Sequence, residues 1–384
     1  MKENTAMPWK ETSTMIEREQ FIEESKIGLL NFSELCKKYN ISRQTGYKWV
    51  KRERQFGVNG LKNLPRKPRH SPNQTSAEIE KEVLKVRFAH PTWGGRKIRH
   101  VLIREGMDHV PAASTITAIL KRNRKITAEE SRKREEYKRF EYESPNELWQ
   151  MDFKGYFPLM DGTNCHPLTI IDDHSRFLVG LRACPDEKAL TAQEHLGVVF
   201  KQYGLPEKML MDNGAPWGDD KDSPHTFLTA WFMSMGIKVA HIGAYHPQTN
   251  GKNERFNRTL LEEVIAQRGF ENLEDAQNFF DEWAKMYNTY RPHEAIGMEV
   301  PASRYKQSKQ RYPNNIPPPN YGTTAIVRKT DQAGAFMFEG QRLRLGKAFK
   351  KKVVELRPTT NEGEIEVYYY DTLINRFNLR KKKC

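Results

Sequence analysis

A helical front, an α/β centre and a small all-β tail are what this chain of 384 residues predicts: a multidomain protein. Three observations carry that expectation. The front has apolar residues at helical spacing broken by Ser, Asn and Gly, and the centre alternates β-rich runs with amphipathic stretches. After a Pro-rich break the tail consists of short alternating runs.

The front opens with "TMIEREQFIEESKIG", read as one helix, then "NFSELCKKYNISRQTGYKWVKRE", read as a helix, a turn at Asn40 and a second helix N-capped by Ser42. Ile41, Trp49 and Val50 can face a small core while Arg43, Gln44, Thr45 and Lys48 point outward. A recognition helix presents itself to a major groove in this way. Residues 1–60 are therefore expected to form a helix-turn-helix DNA-binding domain, with a plain three-helix unit as the alternative. Residues 61–76 are Pro-, Ser- and Asn-rich and carry Arg66, Lys67 and Arg69. They read as a basic linker able to follow a phosphate backbone or to serve as a solvated spacer. Three further amphipathic helices, punctuated by Pro91, Gly106 and Pro111, form a second helix-turn-helix unit over 77–125, and 126–145 is a charged connector.

Lys and Arg outnumber Asp and Glu by 63 to 49, leaving a net charge of +14. That excess points to a polyanionic partner, nucleic acid first, although charge alone also fits a basic protein with no such partner. No apolar stretch reaches the roughly 18 residues of a membrane span, and the N-terminus lacks an apolar signal core. The expectation is no membrane contact, no small-molecule substrate and a cytoplasmic, nucleoid-associated location in a bacterium. Cys36, Cys165, Cys184 and Cys384 form no C-x-x-C pair. They read as free thiols in a reducing compartment, not as a structural zinc site or a disulfide framework.

From Leu148 the pattern changes. "ELWQMDFKGYFPL" reads as a first strand, "HPLTIIDDHSRFLVGLRAC" as two more, "EKALTAQEHLGVVFKQYG" as a helix, "KMLMDNG" as a short buried strand, "SPHTFLTAWFMSMGI" as a helix and "KVAHIGAY" as a strand. "HPQTNGKNERFNRTL" then leads into a long helix. Three successive strands followed by helix and strand alternation fit an α/β sandwich of the ribonuclease H type over 146–310. Residues 320–384, with "TAIVRK", "QRLRLG", "KKVVELRP" and "GEIEVYYYDTLINRFNL", read as a small barrel-like β module suited to DNA or to oligomerisation.

Three acids stand out in the centre. Asp152 lies mid-strand, where Asp is disfavoured. Asp212 closes a buried strand, although an Asp before Asn-Gly also suits a plain turn. Advancing about 100° per residue from Glu254, Phe256, Leu260, Leu261, Val264 and Ile265 form one apolar arc with Glu254 inside it, and Lys252, Arg255 and Arg258 are read as facing solvent. The helix dipole alone would favour an acid there, but would not require it on a buried arc. Together the three acids make an oxygen-rich set suited to Mg²⁺ or Mn²⁺. Asp172 is the nearest rival, with Asp173 beside it.

"WQMDFKG", "LMDNGAPW", "HPQTNGKNERFNRTL" and "YNTYRPHEAIG" resemble the signatures of insertion-sequence transposases that carry a retroviral-integrase-type (DDE) catalytic core. The resemblance is strongest from about Leu148 to Tyr305. It implies that Asp152, Asp212 and Glu254 are a catalytic and metal-binding triad holding two Mg²⁺ (or Mn²⁺) ions, with Asp152 bridging both. The chemistry implied is cleavage at the 3′ ends of transposon DNA and joining of the freed 3′-hydroxyls to target DNA. His246, Gln248, Lys252, Arg255 and Arg258 would grip phosphates beside the site. Arg291 and His293 would brace the domain. Terminal inverted repeats, target DNA and a second copy of the chain, in a homodimer or larger assembly, are the implied partners. The segment between Asp212 and Glu254 is longer than the family usually has, and the surplus falls on "WGDDKDSPH", so Asp219, Asp220 and Asp222 are minor rivals. The His/Cys zinc domain of retroviral integrases has no counterpart here. A catalytically inert DNA-binding regulator and a nuclease that cuts without joining are the competing readings.

Overall fold

The computed structural model describes residues 13–64, 75–126, 141–218, 225–241 and 251–380. Arg66, Lys67, Arg69, His246, Gln248, Asp219, Asp220, Asp222 and Cys384 lie outside them. The chain divides into two compact units, Met1–Gln74 and Thr75–Cys384.

The first unit is three helices, α1 (Thr14–Ile27), α2 (Phe32–Lys38) and α3 (Arg43–Phe56). Each begins where a side chain satisfies an orphan amide. Ser13 accepts from Ile16 N, Asn31 forms a capping box with Glu34, and Ser42 Oγ accepts from Thr45 N at 3.1 Å. Asn40 takes the left-handed conformation in the turn before α3. Phe21, Ile22, Leu35, Cys36 and Trp49 form the core, edged by Ile41 and Val50. Leu61 is buried in it too, so packing runs past the boundary expected at residue 60. Gly46 lets α3 approach its neighbours, since a Cβ there would come within 2.8 Å of Cys36 Sγ. Arg43, Gln44 and Lys48 are exposed as expected. Thr45 is not fully outward: it is half-buried, and its hydroxyl lies 2.9 Å from Ser42 Oγ as part of the cap.

In the second unit α4 (Ala77–Ala89), α5 (Gly95–Arg104) and α6 (Ala113–Arg122) enclose Val83, Ile98, Val101, Ile116, Ile119 and Trp93. The central sheet follows, with strands β1 (Leu148–Phe153), β2 (Phe157–Pro158), β3 (Asn164–Asp172) and β4 (Leu178–Cys184). Next come α7 (Ala189–Tyr203), β5 (Lys208–Met211), α8 (Phe227–Ser234) and β6 (Lys238–His241). Strand order is β4-β3-β1-β5-β6, with β2 paired to the start of β3. β3 is antiparallel to both neighbours, whereas β1, β5 and β6 run parallel.

Side-chain alternation splits β1 between two helical layers. Trp149, Met151 and Phe153 pack with Leu196, Phe200, Leu228 and Phe232 of α7 and α8. The opposite face is covered by α9 (Gly251–Leu260) and α10 (Leu273–Thr289), through Phe256, Leu260, Phe280 and Trp283. The long helix expected after the Pro-Gln-Thr-Asn-Gly turn is shorter: α9 passes into a π-helical turn, Leu261–Ile265, and stops. A short helix, α11 (Pro301–Arg304), follows α10.

The tail comprises β7 (Ile326–Lys329), β8 (Ala335–Phe338), β9 (Gln341–Arg344), β10 (Val353–Pro358), β11 (Glu364–Tyr369) and β12 (Thr372–Asn378). It is antiparallel and all-β, and its two strand groups enclose one core through Phe336, Leu343, Val354 and Leu356. The sheet β12-β11-β10-β7 has two edges, and β8-β9 is a separate hairpin. Its core includes Ala230 and Met233 of α8, which tie it to the central layer. Among the described residues no helix is long and apolar enough to cross a membrane. Cys36, Cys165 and Cys184 are buried free thiols, and burial pushes the Cys165 and Cys184 thiols up to about 12.

The second helical unit is not the free-standing domain its sequence suggests, because it is docked beside α10 by buried charge. Glu263, in the π-helical turn, accepts from Arg291 Nη2 at 2.8 Å and Nε at 3.0 Å and from Thr92 Oγ1 at 3.2 Å, with Lys97 Nζ 3.9 Å away. Arg104 donates to Tyr290 O, and Tyr290 OH to Glu105. Burial first, then Arg291, lowers the Lys97 ammonium to about 8, so this lysine depends on the Glu263 charge. Removing one member of such a buried cluster strands the others. Glu263→Ala should therefore destabilise the second unit by about 3–5 kcal/mol in urea denaturation. A cost below about 1 kcal/mol would mean the cluster behaves as a surface pair.

Candidate active site

The parallel register of β1 and β5 builds the centre of the site. Gln150 pairs with Leu210, and two residues further along both strands Asp152 and Asp212 emerge side by side. Adjacent strands are only about 4.8 Å apart, so two carboxylates here feel one another. Burial, then the Asp212 charge, then more weakly Glu187, push the Asp152 carboxyl up to about 7, partly opposed by a hydrogen bond from Asn257. Asn257 Nδ2 donates to Asp152 Oδ2 at 3.2 Å, and Thr169 Oγ1 donates to the Asp152 carbonyl at 3.0 Å. Asp212 Oδ1 accepts from Gly214 N at 3.1 Å, closing the turn after β5. No Lys or Arg among the described residues is ion-paired with either acid.

Glu254 is placed differently from the sequence reading. It is exposed in the first turn of α9, and the buried stripe is Asn253, Phe256, Asn257 and Leu260. The expected arc runs through Leu261 and Ile265, but these lie in the π-helical turn, where the α-helical period no longer holds, and Leu261 is itself exposed. Among the described residues no three His, Cys, Asp or Glu side chains come together as a metal cluster. The structure thus brings Asp152 and Asp212 together. Glu254 stands one turn before Asn257, the residue of the same helix that touches Asp152.

The rivals are otherwise engaged. Asp172 is fully buried, accepting from Asn146 N at 2.7 Å and from Ser175 N and Oγ at 2.8 and 2.5 Å. Asp173 is also fully buried, accepting from Gln150 Nε2 at 2.7 Å, from Tyr142 N at 3.0 Å and from Lys252 Nζ. Lys252 is therefore not the outward phosphate grip expected of it. A buried carboxylate needs a cation, and Lys252 supplies one. Burial lowers its ammonium to about 8, with Arg176 adding to the effect. Arg255 and Arg258 are exposed beside Glu254. Arg291 and His293 are buried and brace the core as expected.

Three residues escaped the sequence reading. Asn253 and Asn257 are amides on the apolar stripe of α9, a signal visible once the wheel is centred on Phe256 and Leu260. His241 ends β6 and donates from Nδ1 to the Asp212 carbonyl at 2.9 Å. A carbonyl only accepts, so Nδ1 carries the proton.

Comparisons with known proteins agree with this architecture. Residues 143–247 and 235–301 match integrase core domain families, and 325–384 match the C-terminal domain of IS481 family transposases. Residues 17–69 match a helix-turn-helix domain and 45–120 a homeodomain-like domain. The chain is 27% identical over 327 residues to the transposase for transposon Tn552 of Staphylococcus aureus, covering 75% of this chain and 66% of that protein. It is 23% identical over 203 residues to a putative transposase for insertion sequence element IS5376 of Geobacillus stearothermophilus, covering 50% of this chain and 49% of that one. The chain thus spans at most about two thirds of these relatives' length. A looser likeness, at TM-score 0.37 and 16% identity over 77% of this chain and 99% of the other, is to a chain of the simian T-cell lymphotropic virus intasome solved with PP2A regulatory subunit B56 gamma. With matches to helix-turn-helix segments in front, an integrase core in the centre and an IS481-type domain behind, the chain is similar in its parts to insertion-sequence transposases with an integrase-type core.

Proposed function

We propose that this protein binds the ends of a transposable DNA element, cleaves at their 3′ ends and joins the 3′-hydroxyls to target DNA by phosphoryl transfer. The observation that supports this most directly is the Asp152 and Asp212 pair at the ends of adjacent parallel strands in an integrase core. Two like charges are held together with no cationic side chain paired to them among the described residues, and one of them is pushed up to about 7. Such a pair is a poor structural device and a good hard-oxygen donor set for Mg²⁺ or Mn²⁺.

Asp152, Asp212 and Glu254 would hold the metal, two ions per site, with Glu254 contributed from the first turn of α9. Bound there, the ions would supply activation of a water or 3′-hydroxyl and stabilisation of the departing 3′-oxygen. The protein's own part is positioning. Asn257 orients Asp152, His241 fixes the carbonyl of Asp212, and the Lys252 and Asp173 pair anchors the start of α9 to the turn after β3. Arg255 and Arg258 would take phosphates outside the carboxylates, and Arg43, Gln44 and Lys48 would read the end sequence. The partners are the element's terminal repeats, target DNA and a second copy of the chain, since two ends must be joined in one assembly.

A strand-transfer assay with the element's own terminal DNA and Mg²⁺ tests the reading. Joined products are expected. Nicks alone would make the protein a nuclease, and a mobility shift without cleavage would make it a regulator. Asp152→Ala, Asp212→Ala and Glu254→Ala should each abolish cleavage and joining while end binding persists. Any one that still joins removes its residue from the triad.

Stability carries the same information. The Asp152 carboxyl rises from its ordinary value of 3.8 to about 7 on folding, so between those values the folded state holds a proton the unfolded state releases. Stability therefore falls as pH rises through this window. Asp152→Asn should stabilise the metal-free protein by roughly 1–3 kcal/mol above the window and by nothing below it. Mg²⁺ should raise the melting temperature of the wild type and leave Asp152→Asn unchanged. A wild type insensitive to Mg²⁺ would count against the site.

The recognition helix makes a separate prediction. Arg43→Ala with Lys48→Ala should weaken end binding and flatten its salt dependence by about one unit of slope for each phosphate that is no longer neutralised. An unchanged footprint would remove α3 from end recognition.

A further inference from the structure

The proposed function gives the Lys252 and Asp173 pair one task, holding the start of α9, but the hydrogen bonds of Asp173 reach further. Gln150 Nε2 donates to its Oδ1 at 2.7 Å, Lys252 Nζ pairs with the same oxygen, and Tyr142 N donates to Oδ2 at 3.0 Å. Its own amide donates to Leu148 O at 2.9 Å, which fixes the residue to β1 through the main chain as well. Gln150 stands two residues before Asp152 on the same face of β1, since Trp149, Met151 and Phe153 face the other way. Lys252 stands two residues before Glu254. One fully buried carboxylate thus touches both the strand that bears Asp152 and the helix that bears Glu254. The third donor, Tyr142, lies in the stretch just before β1, and that stretch is itself fastened. His174 Nδ1 donates to Tyr142 O at 2.9 Å, Lys208 Nζ at the start of β5 donates to Tyr142 OH at 3.2 Å, and Glu141 accepts from Arg176 Nη2 and Arg304 Nη2, each at 2.9 Å.

From this we infer that Asp173 is a positioning residue for the metal-dependent step, setting the spacing between Asp152 on β1 and Glu254 on α9. The inference rests on the proposed function and deepens it by naming the residue that aligns the helix ligand with a sheet ligand. Packing of Phe256 and Leu260 presses α9 onto the sheet, but apolar contact has no direction and leaves the height and rotation of the helix loosely set. Directional contacts fix both, Lys252 to Asp173 before Glu254 and Asn257 to Asp152 after it. A buried ion pair adds little stability over apolar side chains of the same volume; what it adds is one permitted geometry. Gln150 shows the same priority. With its Nε2 committed to Asp173, its Oε1 is buried with no hydrogen-bond partner among the described residues, a cost that an apolar side chain at this position would avoid.

The test uses the full chain and Mn²⁺, with free Mn²⁺ read from its electron paramagnetic resonance signal and joining of terminal DNA followed across the same titration. Asp173→Asn keeps the shape and removes the charge. Asp173→Asn with Lys252→Met also removes the ammonium that the single variant leaves buried, so the double variant should melt higher than the single one. Both should nevertheless bind Mn²⁺ roughly ten-fold more weakly than the wild type and need correspondingly more of it for half-maximal joining. A double variant that binds Mn²⁺ as the wild type does makes Asp173 a purely structural residue and overturns the inference. If neither variant folds, Gln150→Leu keeps the ion pair and removes only the contact to β1. It should weaken Mn²⁺ binding in the same direction, and wild-type binding there overturns the inference equally. A wild type that neither binds Mn²⁺ nor joins DNA would sink the proposed function and this inference with it, whereas unaltered binding in the variants sinks this inference alone.

Discussion

The placement of Asp152, half-buried under α9, beside Asp212 at one end of the sheet is the constraint around which the central layer is organised. Parallel pairing of β1 with β5 sets both carboxylates at one end of the sheet, and neither strand can slip without turning its side chains to the other face. Asp152 also faces α9, so it is partly withdrawn from water as well as repelled. Burial and like charge act in the same direction on its carboxyl. A side-chain hydrogen bond from Asn257 works the other way. Around this pair the other acids are treated differently. Asp172 has three donors, and Asp173 has donors and a lysine. The chain satisfies the acids that shape the fold and, among the described residues, pairs no cation with the two that face the strand ends.

Helix α9 carries that arrangement to the rest of the second unit. Its first turn holds Glu254 and Lys252, its middle packs Phe256 and Leu260 on the sheet and touches Asp152 through Asn257, and its π-helical extension presents Glu263 to Arg291, Thr92 and Lys97. A π turn shifts the phase of a helix, so the residues after Leu260 face a different neighbour from those before it. That shift lets one helix serve the sheet on one side and the α4 to α6 bundle beyond. A regular α-helix would have aimed Glu263 elsewhere and left Arg291 and Lys97 buried without an anion.

Much of this was legible in the sequence because it depends on local rules. The Ser42 cap, the turn at Asn40, the strand bearing Asp152 and the buried end of β5 follow from period, propensity and turn chemistry. What failed to show depends on segments distant along the chain. The face of Glu254 is hidden in the sequence because Leu261 and Ile265, in the π-helical turn, do not continue the helical period of α9. Lys252 looked outward because its partner, Asp173, comes from the turn after β3. The tail's strands were readable one by one, but whether their sheet closes depends on which edges pair, and nothing local to a strand encodes that. The second helical unit looked independent because Glu263 and Arg291, which dock it, belong to the far end of the core.

That docking couples the α4 to α6 bundle to the carboxylate site, whereas the three helices of the first unit carry a core and caps of their own. The bundle is joined to α9 by a buried charged cluster, and anything that shifts α5 shifts the partners of Glu263. Linkage then requires reciprocity: if DNA held against α4 to α6 favours one position of α9, loading of the carboxylate site must favour the same position and tighten that DNA. Glu254 sits at the start of this coupled helix, in its exposed first turn, while Asp152 and Asp212 are fixed by the sheet. Of the three proposed ligands, Glu254 is therefore the one carried by the helix to which the bundle is docked. Under the proposed function, one ligand would stand on the helix docked to the bundle and two on the paired strands.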